Sequence, residues 1–528
     1  MAKHYQVIIV GGGPVGVALA VELGLRGVSC ALIERRRRLQ NIPKGQNLTQ
    51  RTLEHFYFWG VVEELRAARV MPPTYPIGNV TTYKTLLSPY WHARPGREQV
   101  RRYYFQDNER LPQYCTEAVL LKKVETLPSV TSLLGWVAQS VEQDAGGVRV
   151  AVTEEGGSAR EILTADYVVG CDGGHSMVRE QVGIARGGQD FDEMMVLAVF
   201  RSRELHEALK RFPERSTYRV MNPELKGYWQ FFGRIDVGEG WFFHSPVPAH
   251  ARSDNFDFKG FLAKVAGFPF ELEFDYVGFW DLRIAVAEKY QVGRVFIAGD
   301  AAHSHPPYGG YGLNNGLEDA RNLGWKLAAA LQGWGGDKLL ESYSLERMQI
   351  FKETARDFIA ARIDAEAEFL ERYDPDRDKA AFEHAWQDFD DFGSSRVMTY
   401  EPNYEGSPVV FGPPNGKSSA HGEHSFKARA GHHLTPQPLS SGRNVFEELG
   451  AWFTLLAFGA DEKDVTGLEQ AAQKTKMPLK IVRDRFDGGR EAYEARLILV
   501  RPDQYVAWTG DRLTGDADAL MERVTGRS

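Results

Sequence analysis

The chain is short of cysteine, of any large excess of one charge, and of long apolar runs, and each shortage closes off a class of function. Only Cys30, Cys115 and Cys171 occur in 528 residues. They are widely spaced and odd in number, so neither a disulfide framework nor a CxxC redox or zinc pair is available. That usage predicts a reducing, cytoplasmic setting. Lysine and arginine total 63 against 71 aspartates and glutamates, a net charge of −8, which gives no field for drawing in nucleic acid or an anionic membrane. No apolar run approaches the roughly 20 residues that span a bilayer. The opening Met1 to Tyr5 leads straight into an apolar strand and a glycine cluster, with no room for a signal peptide's apolar segment. The expected partner is a small molecule.

What is present is an ordinary globular composition, 43% hydrophobic and 25% charged, with ample mass for a large core. At about 150 residues per domain the length predicts roughly three to four units. Glycine is in excess, at 53 residues against a usual share of about 7%. A β-branched run over 5–10 ends in Gly11-Gly12-Gly13-Pro14-Val15-Gly16, helix formers follow to Gly27, and a second apolar run over 28–33 closes at Glu34. This is a βαβ unit. Helix is expected over 52–68, strands over 148–152 and 167–169, and a mostly antiparallel sheet over 193–290, where short aromatic runs alternate with turns. A buried strand at 295–298 precedes helix over 315–331 and 339–370. The polar stretch 374–438 predicts a long irregular connection. Strands at 452–458, 479–482 and 497–501 flank helices in a small α/β tail.

Gly11, Gly13 and Gly16 form GxGxxG between strand and helix, with Glu34 ending the next strand. Gly11 permits the turn, Gly13 lets a pyrophosphate approach backbone, and Gly16 lets helix pack on strand. Phosphates belong on the helix N-terminus, beside Pro14 and Val15, and Glu34 suits ribose hydroxyls while repelling a 2′-phosphate. The run Arg35 to Arg38 reads as a solvated turn beside an adenosine rather than a nucleic-acid patch.

Two later segments specify the dinucleotide. One is Gly170-Cys171-Asp172-Gly173-Gly174 with Arg179. The other is Gly299-Asp300-Ala301-Ala302-His303, leading into Pro307-Tyr308-Gly309-Gly310-Tyr311-Gly312-Leu313-Asn314. With them the chain resembles the class A, single-component FAD-dependent aromatic hydroxylases, of the phenol hydroxylase type with a thioredoxin-like tail. The resemblance implies an α/β fold with four parts. They are a discontinuous Rossmann-like FAD-binding domain (1–185 and 291–375), an antiparallel substrate sheet (186–290), a connection (376–440) and a thioredoxin-like domain (441–528) without cysteine, expected to serve packing or a homodimer contact.

The same resemblance implies roles for particular residues. Asp300 takes a ribityl hydroxyl, and Pro307, Gly310, Gly312, Leu313 and Asn314 line the isoalloxazine. Gln113 holds the flavin side chain, and Val137 touches adenine through its backbone. Lys44 stands where relatives carry arginine. Asp172 and Arg179 bridge flavin and nicotinamide, the other reading of this pair being an ion pair tying loop to helix. Asp300, His303 and His305 admit a reading as metal ligands, but their glycine-proline setting argues against one and no metal is expected.

The implied cofactor is FAD, with NADH or NADPH as transient co-substrate, since only one GxGxxG unit exists. The implied reaction is hydroxylation of a phenolic or related ring by O₂ through a flavin C4a-hydroperoxide. Baeyer–Villiger insertion or oxidative decarboxylation of a polycyclic intermediate is the alternative within the fold, and a flavin-binding scaffold the alternative outside catalysis. The catalytic base is not identified; His244, Tyr228, Tyr218 and Arg234 are candidates by residue type and region.

Overall fold

The computed structural model describes residues 3–94 and 96–528, without the side chains of 94, 189–193, 282 and 390–395. Its first sheet carries the βαβ unit. Lys3–Val10 lies at the centre, parallel to Cys30–Glu34 on one side and Arg160–Gly170 on the other, with Val295–Ile297 beyond. Val7, Ile8 and Ile9 are wholly buried, as expected of a parallel strand covered on both faces. The Pro14–Gly24 helix packs between this sheet and two other helices, Tyr311–Leu331 and Gln113–Val124.

The second sheet has eight strands, and it is antiparallel except where Thr217–Met221 runs parallel to Asn79–Tyr83. The sheet expected from 193–290 is therefore extended by strands from the 79–94 region. Side chains alternate across it. Val196, Ala198, Phe200, Phe232, Trp241 and Phe243 pack on one face, against the Phe258–Ala266 helix. Leu197, Val199, Trp229, Phe231 and Phe242 point to the other.

Three expectations are revised. The helix read over 52–68 breaks at Gly60 (φ +69°) into Gln50–Phe58 and Val62–Ala67. The 339–370 helix contains a π-helical turn, Thr354–Ala360, between Asp337–Glu353 and Ala361–Arg372. The irregular connection expected over 374–438 opens instead with a 21-residue helix, Lys379–Thr399, capped by Asp378, whose carboxylate accepts the Ala381 N–H. Phe382 and Trp386 of this helix are buried against Tyr83 and Phe369. Its polar composition hid an aromatic pair at i, i+4.

The tail is a four-stranded sheet in the order Leu479–Asp484, Phe453–Phe458, Leu497–Val500, Val506–Gly510. Its first two strands are parallel and joined through the Glu462–Thr475 helix. It docks on the Tyr311–Leu331 helix through a buried ionic cluster. Glu346 accepts from Arg501 at 2.7 and 2.9 Å, from Lys326 at 2.7 Å, from Asn322 at 2.7 Å and from Ser407 at 2.6 Å, and all five groups are buried.

Candidate functional site

A cavity of ≈ 1480 Å³ runs from the glycine loop of the first sheet to the second sheet. Every residue proposed for cofactor contact except Gly16 and Arg179 lines it. At the glycine loop, Gly11 adopts φ +106°, and a Cβ there would stand 2.3 Å from the Cys171 carbonyl oxygen. A Cβ on Gly16 would stand 1.9 Å from the Gly11 oxygen, while one on Gly13 would meet nothing within 4 Å. Gly11 and Gly16 are thus fixed by backbone closeness. Gly13 leaves open space at the N-terminus of the Pro14–Gly24 helix, where no side chain caps the free N–H groups.

Glu34 shapes the loop itself, accepting the Gly12 N–H at 2.8 Å and the Arg36 N–H at 2.9 Å, and Arg35 and Val137 flank it on the cavity wall. Lys44 is held below its ordinary range by burial and by Arg36, with Glu117 and Asp300 opposing. The Gln113 amide donates to Glu117 at 2.7 Å, and its oxygen and the Leu313 side chain converge on Gly45.

Opposite, Gly309 and Gly310 turn in the left-handed region (φ +76° and +70°) and deliver the chain from Pro307 into the Tyr311–Leu331 helix, whose N-terminus again has no side-chain cap. Asn314 is fully engaged. It accepts from the Thr49 N–H at 3.0 Å and the Thr52 hydroxyl at 2.7 Å, and donates to the Asn47 and Gly310 carbonyls at 2.9 and 2.7 Å. Its amide fixes the loop and has nothing left for a ring. Asp172 accepts from the Ser176 hydroxyl at 2.5 Å and the Val178 N–H at 3.1 Å. Arg179 donates to the Gly174 and Ala301 carbonyls at 3.1 and 3.0 Å, fastening the second glycine segment to the third. The pair is not an ion pair. His303 and Asp319 are joined at 2.7 Å, with Arg347 on the other carboxylate oxygen at 2.8 Å. Among the described residues no three His, Cys, Asp or Glu side chains form a metal-binding group.

Residues 4–357 match the family described as FAD binding domain, and residues 427–528 match the aromatic-ring hydroxylase C-terminal family. The chain is 29% identical to the FAD-dependent monooxygenase apdD of Emericella nidulans, over 98% of this chain and 90% of that protein. It is 28% identical to the 4-methyl-5-nitrocatechol 5-monooxygenase of a Burkholderia species, over 98% and 96%. A structure of the rebeccamycin biosynthetic enzyme RebC with reduced flavin superposes with a TM-score of 0.85, at 25% identity and 100% of both chains. The chain belongs to this family of FAD-dependent monooxygenases.

In this monooxygenase the four base candidates part company. His244 reaches the cavity among Phe231 (4.8 Å), Phe242 (5.5 Å) and Trp280 (5.2 Å). Its Nδ1 is buried without a partner. Burial pushes its pKa down to about 3. Tyr218 and Arg234 lie on the opposite face, bonded to each other at 3.1 Å with Arg234 stacked 4.4 Å over Trp241. Tyr228 precedes the Trp229–Arg234 strand, 6.0 Å from Tyr308 and off the cavity wall. The wall also takes residues that the sequence reading did not single out: Arg97, Tyr311, Phe358, Arg362, Arg396, and from the C-terminal region Glu401, His433 and Tyr505. For Arg97 and the C-terminal residues no local motif marks the role; only the fold brings them together.

The His244 shift has a sign that urea melts can check. Its folded value, about 3, lies below the ordinary 6.5, so the unfolded chain takes up this proton first. Between roughly pH 6 and 4 the group should cost about 1.4 kcal/mol of stability per pH unit as pH falls. His244→Phe should flatten the stability profile by that amount in the same window.

Proposed function

We propose that the protein is an NAD(P)H-dependent aromatic hydroxylase whose FAD lies along this cavity and whose substrate is a flat phenolic ring system, polycyclic in size. The observation that carries the reading is one continuous cavity, glycine-cradled at one part and walled by Trp229, Phe231, Phe242 and Trp280 at another. The residues fit FAD. Open space at Gly13 and two uncapped helix N-termini receive phosphate and electron-rich ring atoms, and Glu34, with Arg35 and Val137 beside it, faces the adenosine. Lys44, Gln113 and Asp300 face the ribityl chain, and Pro307, Gly310, Gly312 and Leu313 the ring.

The chemistry that FAD supplies when bound is oxidation of NAD(P)H and activation of O₂. The protein's own contribution is position and environment. The aromatic walls exclude water and orient a planar substrate. The uncharged His244 ring lines the cavity and offers an imidazole nitrogen as an acceptor for a phenolic O–H, drawing the proton toward nitrogen and raising electron density in the ring. The helix N-terminus at Tyr311 favours negative charge developing beside it. Low cysteine content supports a cytoplasmic setting, and no described helix is long and apolar enough to cross a membrane.

The test is a panel of mono- and polycyclic phenols offered to the FAD-loaded enzyme with NADH or NADPH. Stimulated coenzyme oxidation coupled to a hydroxylated product is expected from at least the tricyclic members. An ester or lactone product would replace hydroxylation with ring-oxygen insertion. His244→Phe should lower kcat/KM about tenfold, the worth of one hydrogen bond, without loss of bound FAD.

A further inference from the structure

One wall of the cavity gathers three guanidiniums, and two of them, Arg97 and Arg362, lack a full counter-charge of their own among the described residues. Arg97 precedes the short helix Glu98–Tyr103, Arg362 lies in Ala361–Arg372, and Arg396 lies in Lys379–Thr399. All three line the cavity with Tyr311, Phe358 and Trp229. The Arg97 Nε donates to the neutral Gln50 amide oxygen at 3.0 Å, and Gln50 returns a bond to the Arg97 carbonyl at 2.9 Å. Among the described residues no carboxylate lies within ion-pair distance of Arg97. Arg362 sits 5.1 Å over the Trp229 ring and pairs with Glu366 at 2.9 Å, but that single carboxylate also bonds the buried Arg219. Arg396 donates to the Phe358 carbonyl at 3.4 Å. The nearby Glu401 is taken by His432, whose Nδ1 is 2.9 Å from both its oxygens. The phenol of Tyr311 is pushed up to about 12 by burial and by Tyr400, while these three guanidiniums oppose the shift. They therefore gather about one ring.

Holding like charges half-buried together costs free energy unless an anion joins them. Arginine's fork suits a carboxylate or a phosphate. We propose that this wall is an anion subsite, in which Arg97 and Arg362, with Arg396 beside them, hold a carboxylate or phosphate on a molecule that reaches the flavin. The inference rests on the monooxygenase reading above. It adds that the bound molecule is acidic at a point apart from the aromatic walls that orient its ring. Two sources fit the chemistry: an acidic aromatic substrate, or the 2′-phosphate of NADPH.

The experiment uses FAD-loaded enzyme and two probe pairs. The first is a dihydroxyanthraquinone and the same ring system bearing a carboxylate, with Kd read from the flavin absorbance change. The second is NADPH against NADH, compared by KM. Bound FAD in each variant reports that it has folded. A substrate source gives the carboxylated probe at least about tenfold tighter binding, as one charge-assisted hydrogen bond supplies. That preference should fall below about threefold in Arg97→Gln and Arg362→Gln, and be largely kept in Arg362→Lys. A coenzyme source shifts the same loss to NADPH and leaves the carboxylate pair alike. If the wild type favours neither anionic member, or if the Gln variants leave its preference intact, the subsite does not exist. Failure of the parent reading looks different: no phenol in the panel would stimulate coenzyme oxidation, whatever the probes' affinities.

Discussion

Gly16→Ala should yield a protein that purifies without yellow colour and is less stable by about 2 to 3 kcal/mol. The added methyl would stand 1.9 Å from the Gly11 oxygen and 3.2 Å from the Cys171 Cβ. Backbone, not a flexible side chain, opposes it. The Pro14–Gly24 helix must lift from the central strand, an overpacking cost of that order, and its free N–H groups leave the position proposed to receive phosphate. Gly13→Ala separates the two effects. Apart from its two chain neighbours its methyl meets no protein atom within 4 Å, so the apoprotein should melt as the wild type does while FAD affinity falls at least about a hundredfold. Absorbance of bound flavin and a titration of apoprotein with FAD read both. Equal FAD affinity in Gly13→Ala and wild type would place the pyrophosphate elsewhere.

Glu346→Gln should destabilise the protein by about 3 to 5 kcal/mol, the usual cost of removing one partner from a buried ion pair. Burial opposes ionisation of Glu346, yet Arg501 and Lys326 hold its carboxyl well below the usual carboxylate range. A depressed carboxylate contributes stability above its unfolded value and loses it as pH falls toward the folded value. The deficit of the variant should therefore be full near neutrality and narrow below about pH 4. Because the same carboxylate ties Arg501 of the tail to Lys326 and Asn322 of the Tyr311–Leu331 helix, the tail should detach first. Limited proteolysis would then cut the variant between its FAD-binding part and the tail sooner than the wild type. A shift below about 1 kcal/mol in urea unfolding would show that this cluster does not hold the tail.

The glycine-cradled end of the cavity was legible in the sequence as backbone, because glycine reports backbone demands directly. Gly11 needs its positive φ, Gly16 its closeness, and Gly309 with Gly310 their left-handed turn. Roles that depend on side-chain partners were harder to read. The Asn314 amide is consumed by four protein bonds, and Arg179 reaches two carbonyls instead of Asp172. The base candidates had a signal that residue type alone did not use: strand parity. Arg234 shares a face with Phe232, and His244 shares one with Phe242, so alternation along two strands separates them once one facing residue is known. The Lys379–Thr399 helix was hidden by the opposite problem. Its exposed charge outweighed the spaced Phe382, Trp386 and Phe389 that pack toward Phe369. The cavity wall from Glu401, His433 and Tyr505 has no counterpart in local pattern, since these residues come from the connection and the tail and meet the site only through the fold.

The most direct test of the account is turnover under ¹⁸O₂. FAD-loaded enzyme, NAD(P)H and a phenolic substrate that stimulates coenzyme oxidation should give a product heavier by one labelled oxygen on a ring carbon, with the second labelled atom in water. Coenzyme oxidation that yields only hydrogen peroxide across the whole phenol panel, with no labelled organic product, would contradict it.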